Sequence, residues 1–133
     1  MKWNFESEDA GSAYGARRGL LDYLRLHATV DSDIDAAALI FGELVGNVVR
    51  HAPGPISIDV YWQRGLAVLR VTDRGPGFAW TGGVALPDAM AESGRGLYIA
   101  FAAARRLQVA GAPGKGTVVT AWLPVRLHQR FRP

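Results

Sequence analysis

The sequence contains no cysteine, which excludes disulfides and thiolate-held metals. Histidine is scarce too: the three present, His27, His51 and His128, are scattered, and no zinc cluster is expected from them. There is no run of about eighteen uncharged apolar residues, and no basic start followed by a short apolar segment. Neither a membrane span nor a secretory signal is therefore read, and a cytoplasmic location without membrane contact is expected. Charge of one sign does not dominate either, since the net charge is only +3. The basic residues gather only at 125–133, where Arg126, Arg130 and Arg132 accompany His128. Such a short tail is expected to be a solvated end rather than an arm that touches nucleic acid. What remains is a chain of 133 residues, 49% hydrophobic, which fits one compact domain over 1–133 with a real core.

The most informative stretch is 31–52, DSDIDAAALIFGELVGNVVRHA. Ile34, Ala37, Ala38, Phe41, Leu44, Val45, Val48 and Val49 recur at helical spacing, with Asp31 or Ser32 available as the N-cap and Pro53 ending the run. Glu43, Asn47 and His51 stand four residues apart, with Arg50 beside them. One helix edge therefore carries a carboxylate, an amide, a guanidinium and an imidazole in line. These groups are costly to bury without a partner. An oxygen-rich ligand carrying a divalent cation would use all of them: the carboxylate as proton acceptor, the amide oxygen on the metal, the cationic groups on phosphate.

Around this helix the chain alternates short patterns. Residues 2–7 alternate Trp3 and Phe5 with polar residues, as an edge strand does. Residues 9 to about 27 form a helix capped by Ser7 or Asp9, with Gly11, Gly15 and Gly19 either weakening its first half or forming a packing groove. His27, at its end, is expected at the surface. Strands are expected at 56–63 and 66–72 around the tight turn Arg64-Gly65. Residues 73–93 have no sustained period and are expected to be loop. A helix follows over 94–107, and a last hairpin joins 107–110 to 117–123 around the turn 111–116. The order implies an α+β chain in two layers, three helices over a mixed or antiparallel sheet. A doubly wound parallel sheet is disfavoured, because the strands come as hairpins.

Three glycine clusters remain: Asp73-Arg-Gly75-Pro-Gly77, Gly94-Arg95-Gly96-Leu97 and Gly114-Lys115-Gly116-Thr117. Each alone is ordinary turn chemistry. Taken in order with Glu43-Leu-Val-Gly-Asn47-Val-Val-Arg50-His51-Ala52, they resemble the boxes of the Bergerat ATP-binding fold shared by gyrase, Hsp90, sensor histidine kinases and MutL, over nearly the whole chain. Neither a Walker A loop nor a protein-kinase glycine loop is present, so the nucleotide assignment rests on this resemblance.

The resemblance implies ATP and Mg²⁺ as ligands. It places Asn47 on the Mg²⁺ and Asp73 on the exocyclic amine of adenine. It places Gly75 and Gly77 where backbone approaches base and ribose, and Gly94, Arg95, Gly96 and Leu97 at a helix start facing the phosphates. Thr117 completes the base pocket, His51 and Arg50 belong to the same site, and whether Arg50 or Arg95 reaches the γ-phosphate stays open. Within the superfamily the chain looks most like the stand-alone anti-sigma factor serine kinases of bacterial partner switching. No phosphoacceptor histidine with an acidic neighbour is found, and no transducer domain fits. That type implies Glu43 as the base that activates a serine or threonine hydroxyl, a sigma factor and an anti-sigma antagonist protein as partners, and a homodimer. Two other readings stay open: a nucleotide-gated binding module without kinase activity, and the detached ATPase domain of a two-component histidine kinase. Gly46, before Asn47, departs from the pattern at a helix-propensity cost of about 1 kcal/mol against alanine. The short lid, 79–93, is expected to order on nucleotide binding.

Overall fold

A computed structural model describes residues 1–51, 54–73, 95–111 and 116–131; for residues 51 and 95–97 it describes the backbone alone. The elements run β1 (Lys2–Glu6), α1 (Ala10–His27), α2 (Ile34–His51), β2 (Pro55–Gln63), β3 (Leu66–Asp73), α3 (Arg95–Ala103), β4 (Arg106–Gly111) and β5 (Thr117–Arg126). The strands form one sheet in the order β1-β2-β3-β5-β4. Each described pairing is antiparallel, so the mixed arrangement left open by the sequence is not the one adopted. β1 lies at the sheet's edge as its alternation predicts. The β2–β3 turn has positive φ at both Arg64 (52°) and Gly65 (79°), the backbone of a two-residue hairpin whose twist matches its strands.

Period-two burial on the strands meets a helical stripe. Ile56, Ile58 and Val60 of β2, Leu69 and Val71 of β3, and Val119, Ala121, Leu123 and Val125 of β5 pack in one cluster with Leu20 and Leu24 of α1, Ile40, Phe41 and Leu44 of α2, and Ala100 of α3. All three helices therefore share one side of the sheet, giving the expected α+β two-layer sandwich. Large side chains in such a core contribute about 1.5–3 kcal/mol each. Gly19 has a packing reason: a Cβ there would come 3.2 Å from the Trp3 indole, whereas one at Gly15 would meet nothing within 4 Å.

Several boundaries differ from the sequence reading. The N-cap of α2 is Asp33, whose carboxylate accepts from the Ala36 N–H at 2.9 Å, rather than Asp31 or Ser32. Ser32 is otherwise engaged, since its hydroxyl contacts Thr29 Oγ1 and accepts from the Arg126 N–H. For α1 the cap is Asp9, and its bonds from the Ser12 hydroxyl and N–H hold the carboxyl below its ordinary range. α3 stops at Ala103, short of 107, because the Arg105 N–H bonds the Trp122 carbonyl at 2.8 Å and strand pairing begins at Arg106. Edge pairing there overrides the helical preference of Ala-Ala-Arg-Arg. β5 continues past 123 to Arg126.

His27 is half-buried rather than a surface residue. Its ring stacks on Tyr23 at 4.3 Å and meets Phe131 at 4.6 Å. In the tail the basic side chains of Arg126, His128 and Arg130 are exposed, yet the backbone is tied down: Leu127 N–H donates to Gly65 O and His128 N–H to His27 O, each at 2.8 Å. Among the described residues no helix is long and apolar enough to cross a membrane.

Gly42 sits on the exposed side of α2, and a Cβ added there meets nothing within 4 Å. Gly42→Ala is therefore expected to stabilise the fold by about 1 kcal/mol through helix propensity alone. Urea denaturation checks this, with a higher midpoint at unchanged slope as the expected result.

Candidate nucleotide-binding site

Chain connectivity brings the candidate residues to one end of the molecule. The N-terminal end of α2 is fastened to the far end of β5, where the Asp33 N–H donates to Pro124 O at 2.9 Å. Its C-terminal end runs into Gly54 and the start of β2. There the Ser7 N–H donates to Gly54 O at 2.9 Å and the Gly54 N–H to Ser7 Oγ at 3.0 Å. From that point the register crosses the whole sheet: Phe5 pairs with Ile56, Ile56 with Asp73, Asp73 with Thr117, and Thr117 with Gly111. Asp73 and Thr117 are thus neighbours across two strands. Both continue the core-facing rows, since Val71 pairs with Val119 and Leu69 with Ala121.

Burial makes these polar residues unusual. Asp73 is 2% exposed and Thr117 3%, at the rim of an apolar layer. The Oδ2 of Asp73 is buried and accepts no hydrogen bond from the described residues, although Asp73 takes part in other interactions. On α2, Asn47 lies one turn beyond Leu44 on the ridge begun by Ile40, and it is 4% exposed. Its Oδ1 is buried and has no hydrogen-bond partner among the described residues. An amide oxygen so placed normally costs about 1–3 kcal/mol. It is, however, a suitable donor to a hard cation, which binds neutral oxygens and keeps its remaining positions for water and phosphate.

Glu43 flanks Asn47 one turn earlier and is half-buried, so its carboxylate stands at the border of core and solvent. Arg50 is exposed, and its guanidinium folds back along α2, with Nη1 3.7 Å from where a Gly46 Cβ would stand. Residues 51 and 95–97 have helical backbone, and α3 ends beside Trp122, whose carbonyl accepts from the Arg105 N–H. The side chains of His51, Arg95 and Leu97 lie outside the described residues, as do Gly75, Gly77, Gly94, the lid 79–93 and Lys115.

Residues 5–122 match the family model of the histidine kinase-like ATPase domain. The chain belongs to that family. The histidine kinase AdeS of Acinetobacter baumannii has a similar fold, with a TM-score of 0.52 at 15% identity over 92% of this chain and 68% of that one. No curated protein matches the chain.

One residue of this ATPase domain escaped the sequence reading. Gly111 appeared only as the start of a turn, yet a Cβ there would come 2.5 Å from Gly116 O and 3.0 Å from Thr117 Cα. Only glycine lets the end of β4 close against the backbone of Thr117. The signal was available in the sequence, as glycines on both arms of the final hairpin.

Proposed function

We propose that this ATPase domain binds Mg-ATP between α2 and the Asp73–Thr117 end of the sheet and transfers the γ-phosphoryl group to a serine or threonine hydroxyl of a partner protein. The observation that carries the nucleotide reading is Asn47, a nearly buried amide whose oxygen is left over by the fold of the described residues. Among those residues no three of His, Cys, Asp and Glu come together as a metal cluster. A Mg²⁺ would instead be held by the Asn47 oxygen together with the phosphates, and it would neutralise the charge that develops on them. Asp73 accepts a hydrogen bond from the adenine amine, and Thr117 offers its hydroxyl beside it.

In this reading Glu43 acts as the base. It takes the proton of the attacking hydroxyl while that oxygen bonds to the γ-phosphorus and the bond to the β–γ bridging oxygen breaks, leaving ADP. The partners of this reading are an anti-sigma antagonist protein as phosphoacceptor and a sigma factor held by the same domain, itself a homodimer.

Asn47→Ala tests the assignment on two axes. Calorimetry is expected to show Mg-ATP affinity lowered by about tenfold or more, with adenosine affinity unchanged. In the absence of nucleotide, melting should be unaltered or raised, because the substitution removes a polar group that the fold does not satisfy. Equal losses for both ligands, or a marked drop in stability, would show that Asn47 is a structural residue.

A further inference from the structure

The side of the sheet facing away from the helices carries a second organised surface. Register aligns Tyr61, Val68, Trp122 and Arg106 in one row, with Asp59, Arg70 and Thr120 in the next. Val68 is fully buried, although the described helices all pack on the other side. The Arg70 guanidinium lies 5.7 Å over the Tyr61 ring and that of Arg106 5.1 Å over the Trp122 ring. The Trp122 indole is itself fixed, donating from Nε1 to Gln63 Oε1 at 2.8 Å.

Both arginines are exposed, and neither forms an ion pair among the described residues, where Asp59 on this side is matched with Lys2 at 3.7 Å. A stacked guanidinium keeps its in-plane N–H donors available and has already lost much of its rotamer freedom, so bidentate capture of a carboxylate costs less ordering entropy. The Tyr61 and Trp122 rings that hold the two guanidinium groups lie in one row, two strand spacings or about 10 Å apart. On an extended chain, side chains on one face recur about every 7 Å, so carboxylates two or four residues apart bracket that distance.

We propose that this surface docks an extended acidic segment of a partner protein, with carboxylates on one face of that segment paired with Arg70 and Arg106. A nucleic acid fits less well. Its bases need open aromatic faces, and here the guanidinium groups already occupy the Tyr61 and Trp122 rings. Asp59 and Glu6 on the same side also repel a continuous polyanion. The surface is separate from the nucleotide site, so the proposal stands or falls independently of the kinase reading.

The test uses the full chain, isotopically labelled, and a short peptide of alternating glutamate and threonine, with its lysine-for-glutamate counterpart as control. The Trp122 indole N–H resonance is expected to move with the acidic peptide and not with the basic one, and binding should weaken as salt is added. The double variant Arg70→Ala/Arg106→Ala should lower the affinity by on the order of tenfold, and Arg70→Lys/Arg106→Lys should lower it as well, since lysine keeps the charge without the planar fork. Mg-ATP affinity should be the same in all forms. Undiminished binding by the lysine variant, shifts confined to the helical side, or tighter binding of oligothymidine at the same residues would each overturn the proposal.

Discussion

Glu43→Gln is expected to bind Mg-ATP and its partner as the wild type does while losing phosphoryl transfer by roughly 10²-fold or more, as removal of a positioned general base does. Glutamine matches glutamate in shape and keeps an oxygen, but it cannot accept the hydroxyl proton. Glu43 stands at the border of core and solvent, so the exchange leaves no charge stranded in the interior and the fold should be kept. Single-turnover transfer from γ-labelled ATP to a serine-bearing antagonist, beside nucleotide affinity by calorimetry, separates the outcomes. Lost turnover with kept affinity supports the base. Wild-type protein that labels nothing, yet holds a sigma factor with an ATP-dependent affinity, would make the domain a nucleotide-gated binding module. Transfer to a histidine of a separate protein would make it the ATPase half of a two-component kinase.

The second large effect concerns the choice of base. Asp73→Asn should weaken binding of both Mg-ATP and Mg-ADP by about 10²-fold, because a site built to hydrogen-bond one group discriminates strongly when that pairing is broken. The wild type should reject GTP for the same reason, since guanine presents a carbonyl where adenine presents its amine and two acceptors would face each other. Asp73 is 2% exposed and cross-strand to Thr117, so water cannot readily step in to relieve the mismatch. Competition between ATP and GTP on the wild type checks the claim, and comparable affinities would remove Asp73 from the base pocket.

Much of this was legible because it rests on local periodicity. The stripe of α2 placed Asn47 one turn past Leu44 whatever the rest of the chain does. The alternation in β1, β2 and β3 marked both the edge strand and the Arg64-Gly65 hairpin. What the sequence left open depends on partners distant along the chain. Asp33 rather than Ser32 caps α2 because Ser32 is drawn to the Arg126 N–H, and α3 ends early because Arg105 is captured by Trp122. The adjacency of Asp73 and Thr117 was visible only as a family resemblance, since nothing local sets which residue of β5 faces which of β3. The stacked arginines of the outer side gave no sequence signal at all, since they and their aromatic partners are single positions on four different strands.

The row that runs from Phe5 through Ile56, Asp73 and Thr117 to Gly111 takes one residue from every strand. A slip of β3 by one position against β5 would turn Asp73 to the opposite side and separate it from Thr117, even if every helix had formed. Nucleotide affinity read from this pair therefore depends on a register set between strands distant along the chain. A chain with β3 slipped against β5 would hold the motif residues without bringing Asp73 beside Thr117.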